Sequence, residues 1–179
     1  MQQDLIHKFA RAANGLNDRI GRAVSWLTLA MVVVTVLVVV LRYGFDTGWI
    51  WMQESVTWMY SLVFMLGASY TFAHDGHVRV DIFYREAGSR RQALVDLAGI
   101  VFLLLPICMF ILITSWDFVV DSWRVREASR EAGGLPGVFL LKSIMPVMAV
   151  LLILQGFAIA VAKLDVLSSK TTSSSDDQS

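Results

Sequence analysis

Aspartate, glutamate, histidine, lysine and arginine are missing from four long stretches of this chain, residues 23–41, 55–73, 97–116 and 143–162, each 19 or 20 residues long. Coupled transport, proton pumping and voltage sensing usually place a charge inside the bilayer or build a site from broken helices in paired halves. Neither is present, so the chain is not expected to move an ion or solute by itself. No histidine lies within a stretch, which removes the axial ligands of a transmembrane haem. The single cysteine, Cys108, excludes an intrachain disulfide framework and any CxxC redox or zinc motif. Fifteen basic residues balance fifteen acidic ones, so no basic excess points to nucleic acid.

What is present is apolar length. The chain has 179 residues, 56% of them hydrophobic, more than a soluble domain usually carries. A helix rises ~1.5 Å per residue, so each stretch is just long enough to cross a ~30 Å hydrocarbon core. Helices in a soluble core would keep one polar face, and these keep none. The expected fold is an all-α integral membrane protein with four transmembrane helices in residues 23–165. Residues 1–22 precede them, and a polar tail of residues 166–179 is expected to be disordered. The first apolar run is longer than a signal-peptide core and is followed by no small-residue cleavage site, so it reads as an uncleaved anchor.

Basic residues orient the spans. Lys8, Arg11, Arg19, Arg22, Arg79, Arg85, Arg90, Arg91, Lys163 and Lys170 fall on one side. Arg42, Arg124, Arg126, Arg130 and Lys142 fall on the other. The positive-inside rule then puts both termini in the cytoplasm.

Between these landmarks the pattern is finer. Leu5, Phe9, Ala12, Ala13, Leu16 and Ile20 recur at helical spacing beside Lys8, Arg11 and Arg19, which predicts an amphipathic helix on the cytoplasmic membrane surface. Arg42 closes the first span and Glu54 precedes the second. Both suit the helix dipole, and an Arg42–Glu54 ion pair would also suit them. Ser89 and Gln92 fit a capping box for the third helix. That helix is expected to run over 90–129 and project beyond the outer face, with Pro106 as a kink. Pro146 is expected in the first turn of the fourth helix. Gly156 and Ala160 form a small-xxx-small pair open to another helix.

Two histidines, His74 and His77, stand in "HDGHVRVD" just after the second span. A metal would need further ligands, for which His7, Asp75 and Asp81 are available, but no spacing fixes their geometry. No cofactor or metal site is expected.

The segment "RYGFDTGWIWMQESVTWMYSLVFMLGASYTFAHDGHVRVDIFY" joins Arg42-Tyr43, Trp51 with Glu54, Gly67-Ala68, and a turn from His77 to Asp81. Further on, "GGLPGVFLLKSIMPVMAVLLILQG" carries Gly-Gly-Leu-Pro, Lys142, Pro146 and Leu-Gln-Gly. In order and spacing these resemble the small membrane subunit, the DctQ family, of tripartite ATP-independent periplasmic (TRAP) transporters. The second segment most resembles the branch associated with mannitol, chloroaromatic or related carboxylate uptake.

The resemblance implies a multi-pass subunit of a bacterial inner membrane, not an enzyme. It would serve a cation-gradient-driven importer of an organic acid or related small solute. Its implied partners are a large elevator subunit, which it braces as a scaffold, a periplasmic substrate-binding protein, and membrane lipids. Matching positions make Arg42, Trp51, Glu54, Gly67 and His77 candidates for contact with the large subunit, with Gly156 added from its spacing. The outer connection, 117–142, is longer and more charged than in the shortest relatives. Arg124, Arg126, Glu127, Arg130 and Glu131 there either help dock the binding protein or solvate a helix end. Two other classes stay in view. A self-sufficient homodimeric carrier would have to use Glu54, and a membrane enzyme or electron carrier would need ligands that the spans lack.

Overall fold

The computed structural model describes residues 2–74 and 88–172. Its elements are α1 (Gln2–Gly44), α2 (Ile50–Ala73), α3 (Ser89–Arg124) and α4 (Val138–Thr172). Each contains a stretch long and apolar enough to cross a membrane. Among the described residues there is no strand, only an isolated bridge between Ala128 and Pro136 in the α3–α4 connection. The four-helix, all-α expectation holds.

The packing is that of helices assembled in lipid. Few large apolar side chains are buried. The interior is mostly small, with Ala10, Ala13, Ala93, Cys108, Ala149 and Ala158 beside Val24, Ile100, Leu151 and Val161, interspersed with Asn17, Ser69, Ser115, Ser122 and Gln155. Large residues point outward instead, with Phe102 74% and Ile113 68% exposed. Lipid tails are as apolar as leucine, so burying leucine between helices gains little there. Small residues and interhelical hydrogen bonds hold such bundles together. Several hydroxyls on the spans are satisfied within their own helices, though among the described residues the buried Ser115 Oγ is not. Thr35, Thr71 and Thr114 donate to the carbonyls of Met31, Gly67 and Phe110 at 2.7, 3.0 and 2.8 Å.

Helix α4 is the axis of the bundle and touches each of the other three. A third of its most apolar stretch (33%) is buried inside the chain, against 6% for α1 and α2. Helix α1 runs unbroken through Gly15 for 43 residues, about 64 Å at helical rise. Its first half is continuous with the stretch that is long and apolar enough to cross a membrane. The buried stripe of that half is Ala10, Ala13 and Asn17, while Leu5, Phe9 and Leu16 face outward. Gly21 continues the stripe and receives the Tyr70 ring of α2. A Cβ there would lie 2.7 Å from the Tyr70 Cβ and closer still to the ring.

Several boundaries differ from expectation. Helix α3 ends at Arg124 rather than Ser129, because Arg126 takes a left-handed conformation (φ 47°) that turns the chain back. It begins behind Gly88 with no side-chain cap hydrogen bond, so Ser89 and Gln92 do not form a capping box there. Ahead of Pro106 the helix widens into a π-helical turn over Ile100–Leu104, where the Leu105 N–H donates to the Ile100 carbonyl. The proline has no N–H and crowds the carbonyl four residues back, and the wider turn relieves both. Helix α4 starts at Val138, so Pro146 lies inside it and not in its first turn. It also continues to Thr172, into the tail expected from residue 166. The interior of a membrane bundle tolerates such a proline because neighbouring helices and waters can serve the freed carbonyl.

Candidate functional site

Polar side chains gather at the two ends of the bundle. At one end the α3–α4 connection folds back onto α2. Glu54, in the first turns of α2, accepts from Ser129 Oγ on one carboxylate oxygen and from the Leu135 N–H on the other at 2.6 Å. Gly134 leaves room for this, since a Cβ there would stand 2.8 Å from Glu54 Oε1. Glu127 forms the second clasp. It accepts from Ser122 Oγ at 2.7 Å and pairs with the Lys142 ammonium at 2.5 Å. That ammonium, with the Ser122 hydroxyl, holds the Glu127 carboxyl below the ordinary glutamate range. Lys142 also lies 3.8 Å above the centre of the Phe118 ring. Trp123 completes the end, donating Nε1–H to Ser143 Oγ at 2.8 Å and meeting Phe139 edge to face at 4.6 Å.

At the opposite end α1, α2 and α4 converge. Asn17 Nδ2 donates to Gln155 Oε1 at 2.7 Å, and Gln155 Nε2 donates to Asn14 Oδ1 at 2.8 Å. Further polar contacts surround these amides. His74 Nε2 stands 3.4 Å from Asp18, His7 Nδ1 stands 3.6 Å from Asp165, and Lys163 forms an ion pair with Asp96 at 2.7 Å. Between them an open crevice of about 440 Å³ is lined by Asn14, Asp18, His74, Gln155 and Lys163 among others. Among the described residues no group of three His, Cys, Asp or Glu side chains could hold a metal ion.

The candidates from the sequence divide accordingly. Glu54 is bound up by the α3–α4 connection, and among the described residues no ion pair joins it to Arg42, which is exposed. Trp51 is 45% exposed, and Gly67 has open space where a Cβ would stand, so both remain on the outer surface. Gly156 does not. A Cβ there would lie 2.5 Å from Leu104 Cδ2 and 3.5 Å from Ile100 Cγ2, so its notch is filled by the π turn of α3. His77, with the remainder of its turn, lies outside the described residues. Arg124 pairs with Asp121 at 3.2 Å, Glu127 is turned inward, and Arg126, Arg130 and Glu131 are exposed. Asn14, Asn17, Ser129 and the Leu135 N–H were not singled out from sequence. The available signal was Gln155, a lone amide inside a span that needs a partner.

These features define a multi-pass, all-helical integral membrane protein whose polar side chains join its helices to one another. Residues 31–165 match the family described as "Tripartite ATP-independent periplasmic transporters, DctQ component". The chain belongs to that family, and is thus a transporter component of the inner membrane rather than an enzyme. Over 89 residues it is 28% identical to the "C4-dicarboxylate TRAP transporter small permease protein DctQ" of Vibrio cholerae serotype O1 (strain ATCC 39315 / El Tor Inaba N16961). That match covers 50% of this chain and 38% of the relative's length. No solved structure shows significant similarity to the chain.

Proposed function

We propose that this chain is the small permease subunit of a binding-protein-dependent TRAP importer, and that it is a fixed scaffold with no transport site of its own. The solute is an organic acid or related small molecule, C4-dicarboxylates being the class in the relative's name. A large membrane subunit carries the solute, a cation gradient drives it, and a periplasmic binding protein delivers it. Both termini lie in the cytoplasm, as the distribution of lysine and arginine supports.

One observation carries the reading. The spans contain no Asp, Glu, His, Lys or Arg, and of the acids that flank them Glu54 has both oxygens engaged by Ser129 and Leu135 of its own chain, while Asp96 is paired with Lys163 at 2.7 Å. A transport site needs polar groups that solute or ion can reach and leave. Here the buried amides and the clasped carboxylates tie helix to helix, which suits a part that stays still while another moves. The exposed aromatic and aliphatic surface is suited to lipid or to a large apolar partner.

Reconstitution tests the reading. Proteoliposomes holding this chain alone should take up no C4-dicarboxylate under a sodium gradient. Adding the large subunit and the loaded binding protein should restore uptake. Uptake by this chain alone would overturn the proposal in favour of a homodimeric carrier.

A further inference from the structure

His74 closes α2 and faces two acceptors. Its Nδ1 lies 3.0 Å from the Tyr70 carbonyl, and its Nε2 lies 3.4 Å from Asp18 Oδ1 of α1. A carbonyl can only accept, so Nδ1 carries a hydrogen. A neutral ring would then turn the lone pair of Nε2 toward a carboxylate. Only the imidazolium, with a hydrogen on each nitrogen, satisfies both contacts. The ring is seated as well as bonded. It packs on the Tyr70 ring with centroids 4.2 Å apart, and Tyr70 in turn fills the space over Gly21 of α1.

The other charges at this end have partners of their own. Lys163 of α4 lines the same crevice as His74 and is paired with Asp96 of α3 at 2.7 Å. Arg22, one turn along α1 from Asp18, donates its Nε–H to the Asp18 backbone carbonyl at 3.3 Å. Asp75 and His77, close by in sequence, lie outside the described residues. A second histidine repeats the arrangement between α1 and α4, where His7 Nδ1 stands 3.6 Å from Asp165 and Arg11 donates to the His7 carbonyl at 3.4 Å. Both contacts tie α1 through an imidazole. The α3–α4 pair uses a lysine instead, a side chain that ordinarily stays charged across neutral pH.

We infer that His74 and Asp18 form a proton-dependent latch, which closes the end of the α1–α2 hairpin remote from its loop. The folded contacts favour the imidazolium. The latch is therefore closed below the range in which histidine ordinarily titrates, and it opens as pH rises through that range. Asn17 and Gln155, which carry no titrating proton, keep α1 on α4 in both states. Opening is thus local. It frees the end of α2 and the turn of α1 around Asp18, and widens the crevice that they line with Asn14, Gln155 and Lys163. With the termini in the cytoplasm, as proposed above, the latch answers to cytoplasmic pH.

Hydrogen exchange of the full-length chain in nanodiscs, read by mass spectrometry at about pH 6 and about pH 8 and corrected for the intrinsic chemical rate, tests the latch. Peptides covering 70–74 and 14–22 should exchange roughly 3-fold faster at the higher pH, the size expected of a partly exposed pair. Peptides covering 89–96 should show no such change, and those covering 105–124 report that the bundle is intact in each variant. His74→Gln should abolish the response, and Asp18→Asn, which leaves the histidine in place, should abolish it too. His7→Gln should leave the response at 70–74 as it is. Equal corrected exchange of the wild type at the two pH values would overturn the latch. A response at 70–74 that persists in His74→Gln or in Asp18→Asn would also overturn it, as would its loss in His7→Gln, because the titrating contact would then lie elsewhere.

Discussion

Asn17 and Gln155, 138 positions apart in sequence, meet side chain to side chain at 2.7 Å with each residue 1% exposed. This bond fastens the first half of α1 to the axial helix α4, and Asn14 extends it on the far side of the glutamine. Leucine at position 155 would leave two asparagines without their partner. Gln155→Leu should destabilise the bundle by about 1–2 kcal/mol. Asn17→Leu combined with Gln155→Leu should lose less than the sum of the two single changes. Denaturant titration of the wild type and the three variants, followed by tryptophan fluorescence, gives the coupling.

Gly21→Ala and Gly67→Ala should behave oppositely. A Cβ on Gly21 drives into Tyr70, whereas one on Gly67 meets nothing within the chain. The first change should cost about 1–3 kcal/mol in the isolated subunit. The second should be silent there, and weaken only the complex if that face touches the large subunit. Melting curves of each variant, alone and in complex, separate the two.

Glu54→Gln removes the charge but retains one acceptor oxygen. The turn at Ser129 and Leu135 should loosen, with faster amide hydrogen exchange at position 135, the donor that Glu54 now binds. Uptake by the assembled transporter should stay within about 3-fold of wild type, since a structural clasp contributes less than a transport site. Near-complete loss of uptake from a complex that still assembles would point to a transport role for Glu54.

Glu127 sets an acid limit on the outer turn. Its carboxyl is held below the ordinary range by Lys142 first and Ser122 second, so the unfolded chain binds its proton more readily than the folded one. Stability from this group is therefore complete above the ordinary glutamate range and is lost as pH falls through the lowered value. The complex should melt at lower temperature in acid, and Glu127→Gln should flatten that part of the profile. Melting temperatures recorded between neutral pH and about pH 3 would show it.

The sequence carried the spans plainly, because four charge-free runs of bilayer length leave little else to be. What it did not announce is the packed face of α1: Ala10, Ala13 and Asn17 are buried, while Leu5, Phe9 and Leu16, read as the apolar stripe of a membrane-surface helix, are exposed. Glu54 stood out by its position, but its partners lie 75 and 81 residues away in a turn with no periodic signal. Gly156 was recognised as a notch, and only three dimensions show that α3 of the same chain fills it. The end of α3 was missed for a local reason, since an arginine occupies the place where a glycine would have announced the stop.

The measurement that bears most directly on the central claim is co-purification. The chain would be tagged at its C-terminal tail, extracted gently from its native membrane, and weighed with whatever comes with it. The scaffold account predicts a large polytopic membrane protein in stoichiometric amount, with little of the tagged chain stable alone. A homogeneous homodimer, stable and without such a partner, would contradict it.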